Sequence, residues 1–374
     1  MFKHITNTSY RLIVPELIKE LEQRLRSGGM SSWPEDVFNS LALEAFAEQF
    51  HSIVPYRRFC EGRGTTPSSV HRWTEVPAVP TTAFKFIDLV AEKAEVVFRT
   101  SGTSLGKQRR GRHLVRSLAL YRASLVPPFR KYVMADTERI RVLSLIPPPR
   151  AVPDSSLSYM VEVVVDQFAT ESHWLVGARG ELDRTMVRSL MRTVSDAGEP
   201  VLIVGTALSF LHLIDLLKEG VHPPLPIGSR IMETGGFKSS SRQTTRDELR
   251  QRLFDVTGIP TDRVVNEYGM TELLSQMYEP VLKEGPEAAG THVAPPWLRV
   301  RALDPLTLEG LPPGEEGLLA FFDLANVGSI CHILTEDVGS VIEGRVQLVG
   351  RVLGAEPRGC SRAMDELMSA ANTP

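Results

Sequence analysis

Cysteine is scarce: 374 residues hold three, Cys60, Cys331 and Cys360, with none of the paired spacings that bind a metal. So odd and sparse a set argues against a disulfide scaffold and suits the reducing cytoplasm. Long apolar runs are missing too. The opening MFKHITNTSYRLIVPELIKE offers only Leu12–Val14 before Pro15, so no signal peptide is expected, and no later run is long enough to cross a bilayer. Neither sign of charge dominates. The 42 basic and 45 acidic residues leave a net −3, with no bulk attraction to nucleic acid or an anionic membrane. Internal repeats and low-complexity tracts are absent as well. What remains, 42% hydrophobic and 23% charged, is an ordinary globular composition at a length that suits one to three domains. A cytoplasmic protein is expected.

One stretch stands out against that background: Phe98–Gly111, FRTSGTSLGKQRRG. Thr100, Ser101, Gly102, Thr103, Ser104 and Gly106 crowd together directly after the apolar run Val96–Phe98, and Lys107 closes the set. A strand ending in such a turn lets backbone N–H groups converge. Hydroxyls add donors and one Lys adds a point charge, which together make an anion cradle. A classical P-loop needs four residues between its glycines and Ser or Thr after its Lys. Here three residues separate Gly102 from Gly106 and Gln108 follows Lys107, which excludes that motif.

The order of elements reads as α/β. Residues 1–90 form a helical lead-in, with Leu17, Leu21 and Leu25 evenly spaced and Leu43, Phe46 and Phe50 on one face. Residues 91–282 alternate β-rich runs with helical patterns, as in a layered sheet. Strands are expected at Arg141–Ile146, Val201–Val204, Ser229–Met232 and Arg263–Val265, and helices after Asp183, at Ser209–Glu219 and at Arg242–Val256. Met160, Val164 and Phe168 share a helix face, although Val163–Val165 is β-branched. Two strands end in small-residue turns, Gly205-Thr206-Ala207 and Glu233-Thr234-Gly235-Gly236, and open α/β sheets bind ligands beyond such ends. Residues 283–374 change texture. Trp297–Leu303, Gly317–Asp323, Ser329–Leu334 and Arg345–Val349, set between Pro/Gly turns, predict an antiparallel β-rich subdomain, and Arg362–Pro374 predicts a short, frayed tail helix.

A second signature, Asn266-Glu267-Tyr268-Gly269-Met270-Thr271-Glu272, is expected just beyond a strand. Tyr268 offers a ring to stack on a purine, Gly269 allows close backbone approach, and Glu272 is a hard oxygen ligand suited to Mg²⁺ held against phosphates. Alone it reads better as an aromatic turn beside a solvated acid. With the first loop it resembles the adenylate-forming enzymes: acyl-CoA synthetases, peptide-synthetase adenylation domains and firefly-type luciferases. Their phosphate loop reads like TSGTTGxPK, which Thr100–Lys107 (TSGTSLGK) matches apart from the missing Pro. Their second signature, NxYGxTE, is matched at every defined position. Glu233–Gly236 resembles the turn lining their adenine and acyl pocket, Thr335-Glu336-Asp337 their ribose-binding Asp motif, and Gly350-Arg351 the Arg at their interdomain hinge. The resemblance implies the large domain of that fold, with layered α/β subdomains, a smaller β-rich subdomain and the helical lead-in. It further implies ATP contacts at Thr100–Gly106, Glu233, Gly235, Gly236, Asn266, Glu267, Tyr268, Gly269, Met270, Thr271, Asp337 and Arg351, with Mg²⁺ on Glu272.

The departures narrow the resemblance. Too few residues follow Arg351 for the small C-terminal lid domain and its catalytic Lys, so no full lid is expected. In that ending, and in SSLSYM (155–160), ETGGFK (233–238), YGMTEL (268–273) and RGCS (358–361), the chain resembles the acyl-protein synthetases of bacterial luminescence, part of the fatty-acid reductase complex. That resemblance implies activation of a fatty or similar carboxylic acid as acyl-adenylate. The acyl group is then carried on Cys360 before transfer to a partner protein, a reductase or an acyl carrier protein. Arg358 and Arg362 flank Cys360, and nearby cations favour the reactive thiolate, while a flexible tail would swing it between partners. Cys331 and Cys60 read as core residues. Lys107, then Lys238 behind the Gly-Gly turn, are the candidate cations that offset charge as pyrophosphate leaves, joined by the arginines of Gln108–Arg112. Two alternatives stay open: a CoA or acyl-carrier-protein ligase, with CoA or phosphopantetheine as acceptor, and a non-catalytic homologue that binds nucleotide or a carrier. DNA binding through Arg109, Arg110, Arg112 and Arg116 is disfavoured by the net acidic charge.

Overall fold

The computed structural model describes residues 7–100, 110–220, 223–235, 245–352 and 357–372, without the side chains of 7–15 and 372. Its helices are α1 (Asn7–Gly28), α2 (Glu35–Ser52), α3 (Val54–Gly62), α4 (Leu118–Tyr132), α5 (Ser156–Phe168), α6 (Arg184–Ala197), α7 (Ala207–Leu217), α8 (Arg246–Thr257), α9 (Val281–Glu284) and α10 (Arg358–Asn372). The first seven strands are β1 (Val79–Pro80), β2 (Val96–Arg99), β3 (Arg112–Val115), β4 (Ile140–Ser144), β5 (Ala169–Trp174), β6 (Val201–Thr206) and β7 (Arg230–Thr234). The others are β8 (Val264–Tyr268), β9 (Met277–Tyr278), β10 (Thr291–Val293), β11 (Leu298–Leu303), β12 (Gly317–Asp323), β13 (His332–Ile342) and β14 (Arg345–Arg351). They form two compact units, each assembled from separate stretches of chain. The first comprises Met1–Pro127, Met270–Ser275 and Val293–Pro374, the second Pro128–Gly269 and Gln276–His292.

The second unit is a parallel sheet in the order β5-β4-β6-β7-β8, with β9 antiparallel at its end. The run VLIVG of β6 is buried throughout, as expected of a strand covered on both faces. Side-chain caps start its helices: Ser155 Oγ accepts from the Ser158 N–H, Thr206 Oγ1 from the Ser209 N–H and Thr245 Oγ1 from the Glu248 N–H. Gly198 and Gly258 end α6 and α8 in the left-handed region that glycine tolerates. Helix wins over the β-branched run Val163–Val165 because Met160, Val164 and Phe168 are buried together. Several expected boundaries shift by a few residues, two of them at the candidate site. Strand β8 runs on to Tyr268 instead of stopping at Val265, and α8 begins at Arg246, where Thr245 caps it.

The first unit carries an antiparallel sheet, β11-β12-β13-β14, with β1 parallel to β13 and the separate hairpin β2-β3. Strand β13 is longer than the expected Ser329–Leu334, so Thr335-Glu336-Asp337 lies within it. The expected tail helix is present as α10, beginning earlier, at Arg358, and docked where a frayed, swinging segment was expected. Cys360, Ala363 and Leu367 recur at helical spacing and are all buried, and the helix packs on α3 and β1. An amphipathic stripe with a partner face docks, whereas an isolated 15-residue helix is marginal in water. Among the described residues no helix is long and apolar enough to cross a membrane.

Candidate active site

The phosphate-loop candidate hangs from a closed hairpin. The register of β2 and β3 ends at Arg99 opposite Arg112. Thr100 then continues the closure: its N–H donates to Gly111 O at 3.0 Å, and the Gly111 N–H donates to Thr100 Oγ1 at 2.9 Å. Arg110 reinforces this base, donating through Nε to Thr100 O at 2.6 Å and through a terminal nitrogen to Arg99 O at 3.3 Å. Arg112 and Arg116 are each paired with a carboxylate, Asp88 at 2.8 Å and Glu92 at 2.6 Å. Ser101, Gly102, Thr103, Ser104, Gly106, Lys107 and Arg109 lie outside the described residues, as do Gly236 and Lys238.

Glu272 comes to that hairpin base. A Cβ placed on Gly111 would lie 3.0 Å from Thr100 Cγ2 and 3.7 Å from Glu272 Oε1, so both side chains border the space beside this glycine. Glu272 is only 8% exposed, and its backbone is pinned: Asn326 Nδ2 donates to Glu272 O at 2.8 Å, and His113 Nδ1 donates to Thr271 O at 2.7 Å. Burial lowers the His113 pKa to about 4, so the ring is neutral at physiological pH and keeps that N–H. Asp323 secures the next residues, accepting from the Leu274 N–H at 3.0 Å and from Ser275 Oγ at 2.7 Å. Sequence reasoning missed His113, Asn326 and Asp323. Their partners lie 158, 54 and 48 residues away, so no local pattern marks them.

The second unit supplies the other half of the signature. Parallel register aligns Gly205, Glu233 and Asn266 in one row across β6, β7 and β8, and Thr206, Thr234 and Glu267 in the next. These are the carboxyl ends of adjacent parallel strands, the position at which such sheets bind ligands. Asn266 Nδ2 donates to the Glu233 carboxylate, Asn266 Oδ1 accepts from His292 Nε2 at 2.7 Å, and the Tyr268 ring stands edge-on to His292 at 6.4 Å. Thr234 Oγ1 donates to the Glu267 carboxylate. Burial lifts both Glu233 and Glu267 to about 7, against 4.5 for an ordinary glutamate. Asn266 and Glu233 are enclosed and bonded to each other, Glu267 is enclosed and bonded to Thr234, whereas Tyr268 is half-buried. A Cβ on Gly269 would meet Glu267 Oε1 at 2.4 Å, so a side chain there has to displace that carboxylate. Gly235 sits at φ +78°, the left-handed turn that follows β7.

Asp337 and Arg351 face each other across β13 and β14. Arg351 Nε lies 2.9 Å from Glu336 Oε2 and 3.9 Å from Asp337 Oδ1, which ties the expected hinge arginine to the expected ribose-binding motif. Cys360 is 1% exposed among Leu303, Leu318, Ala320 and Leu334. Cys60 and Cys331 are core residues: burial pushes the Cys60 thiol up to about 12 and raises that of Cys331 well above the ordinary range. Among the described residues no cluster of three or more His, Cys, Asp or Glu forms a metal cage. A single carboxylate such as Glu272 fits Mg²⁺, which keeps waters and substrate phosphates as its remaining ligands.

A model of the acyl-protein synthetase family LuxE matches residues 31–369. The chain belongs to this family. Membership makes it an enzyme, a ligase that activates and transfers acyl groups, and disfavours both a non-catalytic homologue and a CoA ligase. It is 24% identical over 374 residues to a long-chain-fatty-acid–luciferin-component ligase of Vibrio harveyi, covering 94% of this chain and 95% of that protein. It is 25% identical to the Aliivibrio fischeri protein of the same name, over 88% of each. Among solved structures, 2-hydroxyisobutyryl-CoA ligase overlaps 89% of this chain and 70% of its own at a TM-score of 0.63 and 17% identity. That likeness shows the fold, the large domain of the adenylate-forming enzymes. Of the MatB protein from Rhodopseudomonas palustris this LuxE-family chain spans little more than half, 56%.

Proposed function

We propose that the chain uses ATP to activate a long-chain carboxylic acid and then carries the acyl group on Cys360. The carboxylate oxygen attacks the α-phosphorus, the bond to the bridging oxygen breaks, and acyl-adenylate and pyrophosphate form. The Cys360 sulfur next attacks the acyl carbon, AMP leaves, and the thiol proton is released to solvent. A reductase or carrier thiol finally takes the acyl group. The observation that carries this reading is that Glu272 and Thr100 both border the space beside Gly111 at the loop base. Glu272 would hold Mg²⁺, which when bound neutralises phosphate charge. Thr100–Lys107 binds the phosphates, Tyr268 offers its ring to adenine, Asp337 takes the ribose hydroxyls, and Lys107 and Lys238 bring the balancing cations. Most of the acceleration then comes from positioning and charge neutralisation. The long-chain acid is the substrate class in the names of the Vibrio harveyi and Aliivibrio fischeri relatives.

Acid-dependent ATP–pyrophosphate exchange across a panel of chain lengths tests the adenylation half, and a radiolabelled acid tests the covalent half. Glu272→Gln is expected to reduce exchange by about 10²-fold, the scale of losing one group that stabilises transition-state charge. Cys360→Ser should keep exchange yet leave no base-labile acyl label on the protein. Exchange that no acid elicits would sink the first half, and label retained in Cys360→Ser the second.

A further inference from the structure

Three buried polar groups of the first unit converge on one small space. A cavity of about 10 Å³ has His113, Arg116 and Asn326 in its wall, with Val115, Leu120 and Leu274 among its apolar members. That is room for one water and nothing larger. Each of the three polar residues carries one buried atom without a hydrogen-bond partner among the described residues: His113 Nε2, Arg116 Nη1 and Asn326 Oδ1. His113 and Asn326 are 0% exposed, and the Arg116 side chain is 10% exposed. The serines of the wall are engaged elsewhere. Ser117 Oγ accepts from the Leu120 N–H at 3.1 Å, and Ser329 Oγ donates to Leu89 O at 2.6 Å.

The chemistry of the three open atoms is complementary. His113 commits its Nδ1–H to Thr271 O, so the neutral ring leaves Nε2 as an acceptor. Asn326 must turn its Nδ2 toward Glu272 O, which makes Oδ1 the free acceptor. Arg116 pairs with Glu92 through Nη2, and its Nη1 can only donate. Glu48, whose charge this guanidinium favours, is not one of the wall residues. One donor and two acceptors are what a single water satisfies, accepting one hydrogen bond and donating two. Arg116 repels a cation, and the two acceptors repel an anion. The guanidinium is also held in place. A Cβ on Gly328 would lie 2.6 Å from Arg116 Cβ, so the bare glycine makes room for the arginine stem.

The two acceptors belong to the same side chains whose donors hold Thr271 O and Glu272 O. Those carbonyls lie in the planar peptide units on either side of the Glu272 Cα. Holding both planes fixes φ and ψ at residue 272, and with them the direction in which its side chain leaves the backbone. We propose that one buried water joins Arg116, His113 and Asn326 and makes all three positioning residues for the Glu272 carboxylate. This rests on Glu272 as the Mg²⁺-holding group and deepens that reading. Arg116 then acts at two removes, through the water and the two side chains that hold the backbone. Losing any one partner leaves the other two buried and unmet, so the three act as a unit.

Calorimetry of ATP binding to the full chain, with no acid present so that no turnover occurs, is run with and without Mg²⁺. His113→Asn keeps a donor for Thr271 O but ends short of the place of Nε2. It should cut the Mg²⁺-dependent gain in ATP affinity about tenfold, the scale of losing an outer partner of a metal ligand, and leave affinity without Mg²⁺ unchanged. Arg116→Met should do the same, whereas Glu92→Gln, which breaks the ion pair alone, should not. Affinities that fall alike with and without Mg²⁺ would show a merely structural role and overturn the proposal. A high-resolution crystal structure of the wild type needs no variant. It should place an ordered water within hydrogen-bond distance of Arg116 Nη1, His113 Nε2 and Asn326 Oδ1, and a dry cavity overturns the proposal. Glu272→Gln separates the two readings. A gain lost there but kept in His113→Asn removes the positioning network and leaves Glu272 standing. A gain kept in Glu272→Gln but lost in His113→Asn and Arg116→Met removes the role of Glu272 and leaves the water-linked network to hold the backbone for a different ligand group.

Discussion

A methyl group at position 269 would sit 2.4 Å from Glu267 Oε1, inside any van der Waals radius, and Glu267 is held by Thr234 within the sheet. Gly269→Ala therefore has to displace a buried carboxylate. Overpacking of this kind costs about 1–3 kcal/mol, and the displaced side chain sits at the end of β8 beside Tyr268. The expected result is a lower urea midpoint with an unchanged m-value, together with a raised KM for ATP. Wild-type stability in the alanine variant would show that Glu267 yields freely. At this scale the candidate site is readable where a residue's proposed role follows from neighbours in the chain. Gly269 beside Tyr268, and Glu272 closing the signature, are such cases. It was illegible where the role is to hold another residue's backbone. His113, Asn326 and Asp323 acquire their roles only when distant carbonyl and N–H groups arrive, and nothing adjacent to them announces it.

At the scale of elements, the informative difference is where β8 ends. The expected strand stopped at Val265, which would have left Asn266–Tyr268 on a turn; the strand instead carries all three residues into the sheet. Polar residues are depleted from buried strands unless paired, which makes Asn266-Glu267 read as a strand end. Asn266 with Glu233 and Thr234 with Glu267 supply that pairing, and periodicity cannot reveal it. The same enclosure has a pH consequence. Glu233 and Glu267 titrate near 7 in the folded protein because burial disfavours their charge, but near 4.5 in the unfolded chain. Between those values the folded state holds protons that the unfolded state has released, so their contribution to stability falls as pH rises from about 4.5 through 7. Glu267→Gln mimics the protonated form and still accepts from Thr234. It should flatten that decline and raise unfolding free energy at pH 8 by on the order of 2 kcal/mol. Parallel stability–pH curves for wild type and Glu267→Gln would falsify the assignment.

Across the whole molecule, texture and compactness group the chain by different criteria. Texture marks stretches at 1–90, 91–282 and 283–374, whereas compactness gathers both chain ends into one unit and leaves most of 128–292 in the other. The reason is partnership: β1 pairs with β13, and α3 packs on α10, so early and late residues complete each other. A sequence records which residues are apolar but not which distant strand will cover them. The parallel-sheet unit is nearly continuous and contains its own core, from Leu143 and Ile203 to Leu253 and Val264. A fragment spanning residues 128–292 is therefore expected to keep far-ultraviolet circular dichroism and unfold in urea as one cooperative transition. The fragment 1–127 lacks β11–β14 and α10, leaving Val79, Phe84 and Cys60 without their cover, and should show helical signal that melts without a midpoint. Non-cooperative melting of 128–292, or a sharp transition in 1–127, would mean that cooperativity follows the order of the chain and not the compact units. That outcome would also shift the reading of Glu233, Asn266 and Tyr268, because a strand-end row can hold a nucleotide only if the sheet that aligns it is stable by itself.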